Sequence, residues 1–116
     1  MTILKSLNKN GMNTSLNKYD AIEKIIFDTN LRIQNVEVKP EVNKLLIFLS
    51  TKQLLVLPLS LYKTLAGADN ASVLQFELIA DGTGIHWPIL DEDLSLKGFL
   101  KETLQQLITE KQVIIT

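Results

Sequence analysis

Two apolar runs joined by a short polar loop constrain the fold of this chain more than any other feature. The runs are Lys44–Leu49 and Gln53–Leu57, and the polar residues 50–52 separate them. Three loop residues between β-prone segments are typical of a β-hairpin. Both faces of these runs are apolar, which predicts central strands that are covered on both sides. Pro58 ends the second strand because proline has no N–H to donate.

Hydrophobic periodicity places further elements around this hairpin. A helix is predicted over Lys18–Asp28 and is ended by Asn30; its apolar stripe packs on the domain's own sheet, on a partner or on a second copy. The next strand, Leu31–Val38, changes phase near Asn35, which indicates a bulge or twist. The remaining predicted elements are a short helix capped by Ser60 and ended by Gly67, strands over Val73–Ile79 and Ile85–Trp87, a helix over Ser95–Glu110 capped by Ser95, and a β-prone tail at Val113–Ile115 that adds an edge strand or frays. The expected fold class is α+β, a small mixed or antiparallel sheet of three to five strands with helices packed on it.

Length and charge narrow the class of protein. The 116 residues suit a single domain, expected over 18–116 after a flexible tail over 1–17. With 12 basic and 13 acidic residues, the chain lacks the strongly basic face of nucleic-acid binders. It contains no cysteine, which removes disulfides and thiolate metal sites. The longest apolar stretch, Leu45–Leu49, is far shorter than the roughly 18 residues of a membrane span, so a cytoplasmic protein is expected.

The segment 84–93 concentrates the residues that could carry chemistry: the only His, the only Trp and three consecutive acids. His86 with Asp91 or Asp93 could bind a divalent ion, but no second imidazole or thiolate completes a tight transition-metal site. His86 with a carboxylate could act as a general acid–base pair, but no nucleophile stands beside it in the sequence. We therefore expect no catalytic residues, no metal and no cofactor.

Two further interpretations of this segment remain open. In the structural one, the acids complement the dipole of the following helix, Trp87 is buried beneath that helix, and His86 points to the opposite face of the strand. In the functional one, an exposed surface binds a basic partner. The residues of this candidate interaction surface are His86, Trp87, Asp91, Glu92 and Asp93.

Several strings in the second half of the chain resemble one bacterial family. They are Pro58-Leu59-Ser60-Leu61-Tyr62, Phe76-Glu77-Leu78-Ile79, Asp81-Gly82-Thr83-Gly84-Ile85-His86-Trp87-Pro88 and Leu90-Asp91-Glu92-Asp93-Leu94-Ser95-Leu96. Over residues 31–101 the chain is similar to the family catalogued as domain of unknown function 2442. Lys63 and Thr64 depart from it, since the family often carries Pro and Arg there.

The resemblance implies a small α+β domain with no established catalytic residues. Members are often encoded beside another short protein, an arrangement that looks like a toxin–antitoxin pair. The leading hypothesis is a non-catalytic protein-interaction module, the antitoxin-like half of a two-protein system, with a small partner encoded nearby or a second copy as partner. The alternatives are a small enzyme or metal-binding protein that uses His86 and the Asp91–Asp93 cluster, and a DNA-binding regulator, which the balanced charge disfavours.

Overall fold

The computed structural model describes the backbone of residues 20–115 and the side chains of residues 20–109. The chain divides into two compact units between Asn30 and Leu31. The tail predicted over 1–17 lies outside the described residues, and the single domain over 18–116 stays a prediction. Among the described residues, no helix has both the length and the apolar character needed to cross a membrane.

The first unit contains helix α1, Ala21–Thr29. Asp20 caps it, and its side chain accepts a 2.8 Å hydrogen bond from the Glu23 backbone N–H. Asn30 adopts the left-handed conformation (φ 58°) and its N–H donates to the Ile26 carbonyl, which confirms the predicted end of the helix. The packing of the apolar stripe stays a prediction.

The second unit begins with a three-stranded antiparallel sheet in which strands β1, β2 and β3 lie in chain order. They span Ile33–Lys39, Lys44–Leu49 and Leu54–Pro58. The register shifts between Ile33 and Asn35, where the phase change predicted a bulge. The hairpin and its end at Pro58 are also confirmed.

The two faces of this sheet differ in exposure. Leu45, Ile47 and Leu57 are fully buried on the inner face. Leu54 and Val56, on the other face, are each 45% exposed. The prediction of cover on both sides is therefore wrong for β3, because its second face meets solvent. The central position predicted for β3 is also wrong, because it is an edge strand.

Short helical segments connect this sheet to the rest of the second unit: a 3-10 helix at Leu59–Leu61, α2 at Lys63–Ala66 and α3 at Asn70–Val73. Ser60 lies inside the 3-10 helix, so its predicted role as a helix cap is wrong. Its N–H donates to Asn43 Oδ1 (2.8 Å) and its Oγ accepts from Asn43 Nδ2 (3.2 Å). Ser60 thus ties this segment to the β1–β2 turn.

A second antiparallel sheet has strands β4, β5 and β6 in the order β4-β5-β6. They span Glu77–Ile79, Gly84–Trp87 and Glu92–Ser95. The strand predicted over Val73–Ile79 is therefore too long, because residues up to Val73 belong to α3. Over residues 20–115 the structure describes six strands in two sheets, and both sheets repeat one order of elements: strand, 3-10 turn, strand, strand, helical segment.

The β4–β5 connection is a 3-10 turn at Ala80–Gly82. All three of its residues have positive φ, and Gly82 has φ 82°. A Cβ on Gly82 would approach the Ile33 carbonyl oxygen to 3.2 Å. Glycine is required here by both the backbone conformation and the close contact with β1.

Helix α4 spans Leu96–Ile115. Ser95 Oγ accepts a 3.0 Å hydrogen bond from the Gly98 N–H, so the predicted cap is confirmed. The edge strand predicted at Val113–Ile115 is wrong, because α4 continues to Ile115 and no Gly or Pro after Gly98 interrupts it. Among the side chains described for the second unit, the core consists of Ile33, Val36, Val38, Leu45, Ile47, Leu49, Leu57, Leu59, Leu65, Val73, Ile85, Trp87, Leu96 and Phe99.

Candidate functional site

The second sheet aligns three ionisable side chains in one row across its strands. His86 lies in the central strand, directly opposite Glu77 of β4 and directly opposite Asp93 of β6. Residues paired in this way project to the same face of an antiparallel sheet. The register therefore builds a Glu77–His86–Asp93 row, which we call the outer row.

His86 and Asp93 are in direct contact. His86 Nδ1 lies 2.5 Å from Asp93 Oδ1, and a carboxylate only accepts, so Nδ1 carries the hydrogen. The His86 side chain is 29% exposed and that of Asp93 is 66% exposed. The hydrogen bond to Asp93 raises the pKa of the imidazole above its ordinary 6.5; partial burial opposes this, and the charges of Asp93, Glu77 and Asp91 add to it.

The three consecutive acids do not point the same way. Asp91 occupies the β5–β6 turn with φ 53°. Glu92 pairs with Trp87, and Asp93 pairs with His86. Because side chains alternate along a strand, Glu92 lies on the face opposite to the outer row. The inclusion of Glu92 in the candidate interaction surface is therefore wrong.

The expectation that the three acids complement the dipole of α4 is also wrong. Strand β6 occupies Glu92–Ser95, and the first turn of α4 contains no acidic residue. The extended strand separates the carboxylates from the free N–H groups of the helix. Ser95 alone supplies the predicted side-chain cap.

Trp87 belongs to the core and not to the surface. It is fully buried, and its indole Nε1 donates a 2.9 Å hydrogen bond to the Val73 carbonyl. The Phe76 ring packs against it with a centroid separation of 5.9 Å. The proposed exposure of Trp87 is therefore wrong, whereas the prediction that His86 faces the other way is confirmed.

Sequence reasoning missed Glu77, which lies nine positions before His86 and meets it only through the β4–β5 register. It also missed a cavity of about 480 Å³ beside Asp93, lined in part by Tyr62, Ser95 and Glu102. Burial and the charge of Glu102 raise the pKa of Tyr62 to about 12. The Tyr62 hydroxyl is buried and has no hydrogen-bond partner within the described part of the chain.

The described residues contain no group of three or more His, Asp or Glu side chains placed to hold a metal ion. Both serines that the sequence analysis named as helix caps have structural contacts: Ser95 with Gly98, and Ser60 with Asn43. The arrangement places three carboxylates, those of Glu77, Asp91 and Asp93, around one proton-binding group, the imidazole of His86.

The family model described as Protein of unknown function (DUF2442) matches residues 33–104. The chain belongs to the DUF2442 family. The match contains the whole outer row and leaves α1 outside it. No curated protein matches this DUF2442 protein.

Two solved structures resemble the DUF2442 protein. A protein of unknown function from Rhodospirillum rubrum is 26% identical with a TM-score of 0.56, and the match covers 62% of this chain and 87% of that one. An uncharacterised protein from Chromobacterium violaceum is 19% identical with a TM-score of 0.57, and the match covers 82% and 84% of the two chains. The second likeness shows the fold alone.

Proposed function

We propose that this DUF2442 protein is a non-catalytic binding module, the antitoxin-like half of a two-protein bacterial system. Its partner is a small basic protein encoded nearby. The observation that carries the proposal is the exposed outer face of the second sheet, where Glu77 and Asp93 flank His86 and Asp91 stands in the adjoining turn.

The charge of this face favours a basic partner. Strand register places six residues on it, and none of the six is Lys or Arg: Glu77, Ile79, Gly84, His86, Asp93 and Ser95. The carboxylates of Glu77, Asp91 and Asp93 all belong to exposed residues. Complementary charge between partners accelerates encounter and selects against wrong partners.

The backbone beneath the face supports binding without rearrangement. Ile85 and Trp87, on the reverse side of β5, are fully buried. This anchoring fixes the position of His86 between its two neighbours. Ile89, 56% exposed in the β5–β6 turn, adds an apolar contact beside Asp91, and interfaces combine such apolar anchors with a polar rim.

The test uses the protein encoded by the neighbouring gene, co-expressed with this one, with the affinity measured by calorimetry. The double variant Asp91→Asn, Asp93→Asn removes two charges from the face, and we expect it to bind about tenfold more weakly. The control Glu37→Gln, Glu41→Gln makes the same change of charge at exposed residues outside the second sheet and should bind like wild type. Equal binding by both variants, or no complex with wild type, refutes the proposal.

A further inference from the structure

His86 is the only histidine of the chain and lies in the middle strand of the second sheet. Carboxylates face it from every adjoining part of that sheet: Glu77 from β4, Asp93 from β6 and Asp91 from the turn. We propose that the His86–Asp93 pair is a proton-dependent clasp that fastens β6 to β5 and offsets the charge of Asp93 on the binding face. The clasp stands on this geometry, and its effect on partner binding rests on the proposed function.

The chemistry of the two protonation states differs in strength and in charge. In the imidazolium, Nδ1–H donates to the Asp93 carboxylate and both groups are charged, whereas in the neutral ring only the acceptor is charged. In the neutral ring, one hydrogen remains, and the contact survives only in the Nδ1–H tautomer. Loss of the proton therefore loosens the clasp and leaves the charge of Asp93 uncompensated.

The clasp acts on a strand that leads directly into α4. Ser95, the last residue of β6, caps that helix. The next residue, Leu96, donates its backbone N–H to the Thr83 carbonyl at 2.9 Å. This hydrogen bond limits any loosening of β6 to the residues between the β5–β6 turn and Leu96.

The direction of the pH dependence follows from the raised pKa of His86. A group whose pKa is raised by folding contributes stability that is complete below about 6.5 and is lost as the pH rises through the folded value. The affinity for a basic partner should rise as the pH rises through the same range, because deprotonation of His86 makes the face more negative.

Hydrogen exchange tests the clasp without any partner. Between about pH 5.5 and pH 8, we expect the protection factors of the β6 amides to fall about threefold in wild type, the size of effect typical of an exposed ion pair. They should not change in His86→Gln, which keeps a polar side chain but binds no proton. Constant protection in wild type, or an equal fall in His86→Gln, overturns the clasp.

Hexalysine serves as a cationic probe for the effect on binding. Its affinity should be about fivefold higher at pH 8 than at pH 5.5 in wild type, and independent of pH in His86→Gln. Binding that is lost in Asp91→Asn, Asp93→Asn but does not vary with pH overturns the coupling and leaves the proposed function intact. Absence of binding at both pH values counts against the proposed function, and hydrogen exchange still decides the clasp.

Discussion

Replacement of Tyr62 by phenylalanine tests whether the hydroxyl beside the outer row is unpaired. The hydroxyl is buried and lacks a partner within the described residues. The ring itself packs edge-on against Phe99, with a centroid separation of 5.9 Å and an interplanar angle of 83°. Tyr62→Phe keeps this ring contact and removes only the polar atom.

The expected gain follows from the cost of the unpaired group. A buried hydroxyl without a partner costs about 1–3 kcal/mol, and the half-buried position of Tyr62 places the gain near the lower end. A gain of about 1 kcal/mol corresponds to a rise in Tm of about 4 °C for a chain of this length.

Urea and thermal denaturation followed by circular dichroism measure this change in the free energy of unfolding. Thr103→Val is the control, because the Thr103 hydroxyl donates a 2.9 Å hydrogen bond to the Phe99 carbonyl and its removal should give no gain. If Tyr62→Phe lowers the free energy of unfolding, the hydroxyl has a partner and the reasoning is refuted.

Tyr62→Phe also isolates the contribution of the Tyr62 phenol to the pH dependence of the free energy of unfolding. The folded pKa of Tyr62 is about 12 against an ordinary value of 10.0, so burial favours the neutral phenol. This contribution is intact below pH 10 and is lost as the pH rises towards 12, because the unfolded chain ionises first. The difference between Tyr62→Phe and wild type should therefore widen above pH 10.

Three further substitutions test the fold around the site, each by the free energy of unfolding in urea. Gly82→Ala should cost about 1–2 kcal/mol, because φ is 82° and the new Cβ would meet the Ile33 carbonyl at 3.2 Å; Gly67→Ala, at φ −89°, should cost nothing. Trp87→Phe should cost about 2–4 kcal/mol through a cavity and a lost indole hydrogen bond, and a smaller loss would place Trp87 nearer the surface. Ser95→Ala should cost about 1 kcal/mol by removing the α4 cap, and no change would contradict that role.

Elements defined by local chemistry could be predicted from the sequence. The hairpin depends on its loop length, the end of β3 on Pro58 and the end of α1 on the left-handed Asn30. The α4 cap depends on Ser95, which bonds three residues ahead. Each of these features is decided within a few residues, so a single sequence contains the necessary information.

Elements decided by distant contacts could not be predicted. Val73 has a strand-like sequence, yet it ends α3, where it is buried and its carbonyl accepts from the Trp87 indole. The acids before α4 resembled helix-capping residues, but pairing with β5 draws them into β6. The division into two sheets likewise depends on which strands meet, and local pattern does not specify this.

The candidate site likewise contains features that local sequence predicts and features that depend on distant contacts. Alternation along β5 was enough to place His86 and Trp87 on opposite faces. Alternation along β6 separates Glu92 from Asp93, but this required knowledge that the acids form a strand. Glu77 needed the register of β4 against β5, which the turn at Ala80–Gly82 sets.

Mapping of amide chemical shifts in the complex with the neighbouring gene's protein tests the proposed binding face most directly. We predict the largest changes at Glu77, His86 and Asp93, with little change at Leu54 and Val56 on the exposed face of the first sheet. The opposite pattern, with changes concentrated at Leu54 and Val56 and an unperturbed outer row, would contradict the proposal and assign binding to the first sheet.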